Sequence, residues 1–225
     1  MKRILSFALM AAFLLCLCAC ANGNEPTEPS QPYATTVPQT TAQKDKDPQL
    51  GEYANGVYIN EFLDICCQVD SKWKVYSDAE LAQLNGLVLD TMTDKDLVEQ
   101  LKKANIVHLF YAAADQGHQT VNILLENAGT ISSVLIDEKA YAELSVEQMP
   151  AALESVGLTD VIAKASTIRF AGAKHAVVEV HATHSGVDFY EKIVCIKVGS
   201  YFGVVTVASY HTDLTDELLG MFGEA

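Results

Sequence analysis

Basic residues are scarce in this chain: 15 Lys and Arg stand against 29 Asp and Glu, a formal charge of −14 at pH 7. So acidic a surface repels phosphate backbones and anionic headgroups, which argues against nucleic acid and against direct docking on an anionic bilayer. It suits a basic partner or loosely held divalent cations, and above all solubility. Catalytic signatures are missing too. There is no G-x-S-x-G, no P-loop, no G-x-G-x-x-G after a strand, no H-E-x-x-H and no EF-hand loop. Tryptophan occurs once, at Trp73, and proline six times, five of them between Ala21 and Pro48. Cysteine is sparse beyond residue 20, where only Cys66, Cys67 and Cys195 occur. An odd number is not a disulfide framework. Neighbours on a strand face opposite ways, so Cys66 and Cys67 cannot both meet Cys195. One bridge to Cys195 and three buried free thiols both stay open, the thiols being the commoner fate.

What is present begins with a leader. Lys2-Arg3 precede a wholly uncharged run, Ile4–Ala19, of 16 residues. This is a positive n-region and an apolar h-region, shorter than the ~20 residues that span a bilayer as a helix. The run ends in Leu17-Cys18-Ala19-Cys20, which resembles the lipobox of bacterial lipoproteins: leucine, a tolerant position, a small residue, then cysteine. Only Cys20 fits, because Cys18 would need cleavage after Leu17 and Cys16 after Leu15. The resemblance implies a signal peptide over residues 1–19 and a diacylglyceryl thioether on Cys20. The competing reading is an ordinary cleaved signal or an uncleaved anchor helix. Two acyl chains suffice for stable anchoring. The expected location is the extracytoplasmic face of a cell membrane in a Gram-positive type of envelope, with the lipid bilayer as the partner of Cys20.

Residues 20–48 carry the lipidated cysteine and a stretch rich in Pro and Thr, without periodicity, which cannot repay the entropy of ordering. Ala21–Pro48 would span about 30 Å as a coil and about 85 Å as extended polyproline II. It reads as a tether. Residues 49–225 suit one globular domain with a sizeable core. Removal of Lys2 and Arg3 from a formal charge of −14 leaves −16 on the mature chain.

The clearest commitment to structure is a run of four β-segments, Val161–Ala171, Lys174–Thr183, Phe189–Val198 and Tyr201–Tyr210, joined by small or Gly-containing turns. Upstream, Gly56–Val69 reads as two extended pieces turning near Asn60-Glu61. Ser77-Asp78-Ala79-Glu80 is a capping box that starts a helix continued by Leu81, Leu84 and Val88, with Gly86 near its end. A second helix follows Thr93, with Asp94 and Asp96 favoured by the helix dipole and Leu97, Val98 and Leu101 facing a core. Ile106–Ala113 and Gln119–Glu126 form a hairpin. Asp137–Gly157 is helical by pattern, with a capping pair at Ser145 and Gln148 and a break or start expected at Pro150. Thr212–Phe222 reads as a short amphipathic C-terminal helix. In the third and fourth β-segments both faces are apolar: Ile193 and Cys195 on one, Val194, Ile196 and Val198 on the other. Such a sheet must be covered on both sides, and helices are the expected cover.

The order hairpin, helices, hairpin, helix, meander, helix resembles the PsbP-like fold of extrinsic photosystem proteins and Mog-type Ran-binding proteins. It is also similar to small lipoproteins of gut-type Gram-positive bacteria, through GVYINEF, the single Trp before YSDAEL, and the terminal SYHTDLTDELLGMF. The fold class this implies is α/β (α+β): a three-layer α/β/α sandwich on a mainly antiparallel sheet. The resemblance implies docking or assembly and supplies no catalytic residue and no cofactor.

The best constellation for chemistry is His175, Glu179, His181 and His184. The first three share one side of a strand, and residues two apart there lie near 7 Å, within joint reach of a metal. The competing reading, a polar surface strip, carries more weight. Asp94 with Asp96 is explained by helix-end charge. Trp73, Tyr53, Tyr58 and Tyr76 either line a ligand groove or serve as core aromatics, the second being commoner. His108, inside an apolar strand, reads as a satisfied core histidine. The expected function is thus a non-catalytic extracytoplasmic binding or assembly module for an envelope protein or ligand. The alternative is a metal-binding protein or metal-dependent hydrolase built on the four-residue constellation.

Overall fold

The computed structural model describes residues 47–85, 94–129 and 136–225. The leader, Cys20 and the tether up to residue 46 lie outside the described residues, as do Gly86, Val88 and Thr93 and the side chains of Asp94, Asp96 and Leu97. Among the described residues no helix is long and apolar enough to cross a membrane.

Three short strands come first, β1 (Glu52–Ala54), β2 (Val57–Asn60) and β3 (Ile65–Gln68), then the two-residue β4 (Lys74–Val75). Helices α1 (Asp78–Leu84) and α2 (Asp94–Lys103) lead to the hairpin β5 (Ile106–Ala114) and β6 (Gln119–Asn127). Helix α3 (Glu138–Ser155) precedes the meander of β7 (Leu158–Phe170), β8 (Ala173–His184), β9 (Val187–Val198) and β10 (Tyr201–Tyr210). A five-residue α4 (Thr215–Leu219) and a final β11 (Phe222–Gly223) complete the order.

The long strands form one seven-stranded antiparallel sheet in the order β4-β5-β6-β10-β9-β8-β7. The meander docks on the upstream hairpin through β10, where Val205 lies opposite Val194 of β9 and Ile123 of β6. Strand β7 is the outer edge and largely exposed, with Ile162 at 64%. A bulge between Thr159 and Ile162 and the charge of Lys164 interrupt that edge, as soluble sheets require.

Each face of the large sheet has its own core. On one face, Ala142, Met149 and Leu153 of α3 pack on Val178, Phe189, Ile193 and Cys195. On the other, Tyr58, Phe62, Ile65 and Cys67 pack on Phe110, Ile123, Val194 and Val205. The class is the expected mixed α/β architecture, and Ile193, Val194, Cys195 and Ile196, which point alternately to the two faces of β9, are all buried. The second outer layer differs in make-up: a small sheet, β1-β2-β3-β11, takes the place expected for helices alone. The reason is local. Strands β2 and β3 alternate buried and exposed residues, so they present one apolar face, and such a face packs on a sheet as readily as a helix does. The layers touch closely at Gly203, where a Cβ would lie 2.6 Å from a methyl of Leu63. Truncating a wholly buried side chain such as Met149 to alanine would cost about 2–5 kcal/mol.

Four further expectations meet the structure. The capping box forms as read, Ser77 N–H donating to Glu80 Oε2 at 2.8 Å and Glu80 N–H to Ser77 Oγ at 3.3 Å. Helix α3, by contrast, runs unbroken through Pro150. Ser145 bonds back to Tyr141 C=O at 2.9 Å instead of capping, and Asp137 is the true cap, accepting from Ala140 N–H at 2.8 Å. Burial of Met149 and Leu153 on either side of the proline outweighs the lost hydrogen bond. The C-terminal helix is shorter than Thr212–Phe222, because Phe222 pairs with Cys67 across β11 and β3. The three described cysteines, Cys66, Cys67 and Cys195, are free thiols. Cys67 belongs to the core on one side of the large sheet and Cys195 to the core on the other, which excludes a bridge between them.

Candidate functional site

Strand β8 does place His175, Glu179 and His181 on one side, as its cross-strand partners Ile168, Lys164 and Ile162 show. The side chains do not converge. His175 Nδ1 lies 3.0 Å from Glu138 Oε1. Glu179 accepts from Ser166 Oγ at 2.6 Å and meets Lys164 Nζ at 3.2 Å, and these partners lower its pKa, the hydroxyl most. His181 Nε2 sits 3.0 Å from Asp188 Oδ1, its ring stacked on Tyr190. His184 faces Tyr210 instead, beside which His118 also lies. Among the described residues no three His, Cys, Asp or Glu side chains are grouped as a metal ion needs. The four-residue constellation is therefore not an assembled metal site.

Glu138 was not singled out in the sequence, yet it joins α3 to two strands. The β8–β9 ladder runs out at Ala176 opposite Cys195. Just beyond, the Glu138 carboxylate accepts the backbone N–H of Ala176 at 3.3 Å and of Lys197 at 2.8 Å. It substitutes for the missing strand partner. A glutamate in a first helical turn is too common a pattern to announce such a role.

The aromatic residues give a different outcome. A cavity of about 170 Å³ lies between the chain at Leu50-Gly51, strand β2, helix α1 and strand β5. Its lining includes Tyr53, Tyr58, Tyr76, Phe110, Leu81 and Asp78. Tyr53, Tyr58 and Tyr76 thus share one cavity, Tyr58 being a core residue as well, while Trp73 packs at the margin of the core. Tyr58 forms the buried end at 2% exposure and stacks on Phe110 at 4.7 Å, while Tyr53 stands at the mouth at 42%.

Local chemistry builds this wall. Tyr58 Oη donates to Leu50 C=O at 2.6 Å and accepts from Asn60 Nδ2 at 3.0 Å. Burial raises its pKa well above the usual tyrosine range. Gly51, at φ +80°, is what lets the chain pass: a Cβ there would lie 2.5 Å from Tyr58 Oη. On the opposite wall β5 bulges between His108 and Phe110. Asn85, at the end of α1, spans the gap, accepting His108 N–H at 2.7 Å and donating to His108 C=O at 2.9 Å. Burial lowers the His108 pKa and favours the neutral ring. This asparagine, acting as a one-residue strand, carries no sequence signature.

A second cluster lies on the α3 side of the large sheet. Tyr111, Asn122 and Thr206 occupy one rung across β5, β6 and β10. Thr120 and Glu191 occupy the next, flanking Ala208. All five are buried. Among the described residues, Tyr111 Oη, Thr120 Oγ1, Thr206 Oγ1, Glu191 Oε2 and both polar atoms of the Asn122 amide form no hydrogen bond. Burial pushes the Glu191 carboxyl up to about 8. Alternation predicts strands here but not that the polar half of the pattern would turn inward.

No family model matches the chain, and no curated protein matches it. Among solved structures it is similar to the solution structure of cyanobacterial PsbP (CyanoP) from Synechocystis sp. PCC 6803. The two are 8% identical, with 75% of this chain and 91% of that one covered and a TM-score of 0.43. Neither a ligand nor a partner passes to this chain from so distant a likeness.

Proposed function

We propose that this is a lipid-anchored, extracytoplasmic protein that binds a ligand without transforming it, in the aromatic cavity between β2, α1 and β5. The observation that carries the reading is the cavity itself. Aromatic side chains from three separated parts of the chain meet around one space, at about 170 Å³ smaller than the ~300–1,000 Å³ typical of drug-sized ligands. The ionisable side chains of that lining are Asp78, His108 and three tyrosines, and among the described residues it holds no serine, threonine, cysteine or lysine of the kind that covalent catalysis uses as nucleophile. The leader ending in Leu17-Cys18-Ala19-Cys20 supports the anchor.

Two measurements test the two halves. Cys20→Ala moves the protein from the membrane fraction and abolishes the lipid-dependent mass increment; unchanged mass and partition would refute the anchor. Native mass spectrometry of the protein extracted from its own membranes shows a retained molecule of discrete mass. Ala82→Leu, which fills the cavity from α1, removes that molecule while the far-ultraviolet dichroism stays unchanged. A bare wild-type mass overturns the binding half.

A further inference from the structure

We infer that the ligand of this cavity is a small organic cation, an ammonium group on a short carbon body. The inference rests on the binding reading above and adds the chemistry of the occupant.

The lining sets the sign of charge. Tyr53, Tyr58, Tyr76 and Phe110 line one small space, with one face of Tyr58 and one of Phe110 taken up by their mutual stacking, and ring faces left open attract an ammonium within about 6 Å of their centres. Asp78 is the carboxylate of the lining, and neither lysine nor arginine belongs to it among the described residues. His108 is held toward its neutral form by burial. The chain as a whole carries −14, which raises the local concentration of cations.

Hydrogen bonding narrows the class further. The deep Tyr58 hydroxyl is engaged by Leu50 and Asn60, and both atoms of the Asn85 amide are engaged by His108. A sugar or an anion needs directional donors at depth, and these groups already have partners. Apart from the hydroxyls of Tyr53 and Tyr76 and the His108 ring, the lining offers ring faces and one carboxylate, the pair that an ammonium needs. Size agrees: a space of about 170 Å³ holds a trimethylammonium head with a short tail.

The rim already displays this chemistry within the chain. Lys74 Nζ lies 5.5 Å from the centre of the Tyr76 ring, with Glu80 Oε1 at 3.7 Å. An ammonium shared between an aromatic ring and a carboxylate is the same recognition on the outer surface.

The test uses the full lipidated protein in phosphatidylglycerol nanodiscs, which contribute no ammonium headgroup, with empty discs as blank. Choline and its neutral carbon isostere, 3,3-dimethylbutan-1-ol, are titrated calorimetrically at low salt. Choline binds, and the isostere binds at least about tenfold more weakly, the discrimination expected of a desolvated cation–π site. Asp78→Asn weakens choline several-fold and leaves the isostere unchanged. Tyr53→Leu, at the exposed mouth where folding is not at stake, also weakens choline. Equal binding of the two probes overturns the cation and leaves the binding reading standing. Failure of both probes, with a retained molecule still seen by native mass spectrometry, overturns the cation in favour of another ligand class. Failure of both probes with a bare native mass overturns inference and reading together.

Discussion

Glu138 Oε1 stands 3.0 Å from Nδ1 of His175, and the same oxygen accepts the backbone N–H of Lys197 at 2.8 Å. One side chain from a helix thereby completes the pairing of two strands that have begun to part. Glu138→Ala leaves the N–H groups of Ala176 and Lys197 without this acceptor, and such partly buried orphans cost about 1–3 kcal/mol. Urea unfolding reads the loss as a lower midpoint at unchanged slope. A midpoint equal to wild type would show the contact to be incidental.

Glu191 makes stability depend on pH in a direction opposite to that of most carboxylates. Its folded pKa, about 8, lies above the ordinary value of 4.5 because burial disfavours the charged form. The unfolded chain therefore loses its proton first as pH rises. The contribution of this residue is fully present below about pH 4.5 and is lost as pH climbs to about 8, by up to about 1.4 kcal/mol per pH unit. Glu191→Gln abolishes that slope, so wild type minus variant stability falls steadily across the window. A flat difference refutes the assignment.

Thr206 offers the converse experiment. Its hydroxyl is buried in the middle of β10 and has no hydrogen-bond partner among the described residues. Thr206→Val keeps the shape and removes the desolvated group, so stability rises by about 1 kcal/mol. A decrease on thermal or urea unfolding means that the hydroxyl does find a partner in solution.

The thiols separate by depth. Burial pushes Cys67 up to about 12 and raises Cys195 as well, whereas Cys66 is half-buried near Glu224 C=O at the end of the chain. The thiolate is the reactive form. An alkylating reagent under native conditions therefore labels Cys66 first, and the other two only on unfolding. Mass spectrometry of a time course decides it, and equal early labelling of Cys195 would place that thiol outside the core.

Signals carried by neighbours in sequence were the legible ones. Ser77 and Glu80 name a helix start, and the turns at Ala171–Ala173 and Gly199-Ser200 divide the meander correctly. Signals that depend on distant partners were not. Pro150 reads as a break until Met149 and Leu153 are seen buried beside it. Asn85, Glu138 and Phe222 each act as a substitute or extra strand, and only the tertiary fold says which backbone lacks a partner. The cavity was half visible, because Tyr53, Tyr58 and Tyr76 cluster in sequence while Phe110 and Asn85 reach it from elsewhere. The histidine strip of β8 failed for the same reason: sharing a face is a local property, and sharing a ligand is not.

Strand β1 pairs with β2 alone over three residues, and the chain just before it, at Leu50 and Gly51, forms one wall of the aromatic cavity. Tension applied to the protein through residues upstream of Asp47 meets the Asp47–Lys102 ion pair and then this wall, ahead of the large sheet. Peeling three residue pairs needs far less force than shearing the ten that join β9 to β10. Pulled from that end, the protein yields at the side of its own pocket, and a stretched chain would empty that pocket before the large sheet came apart.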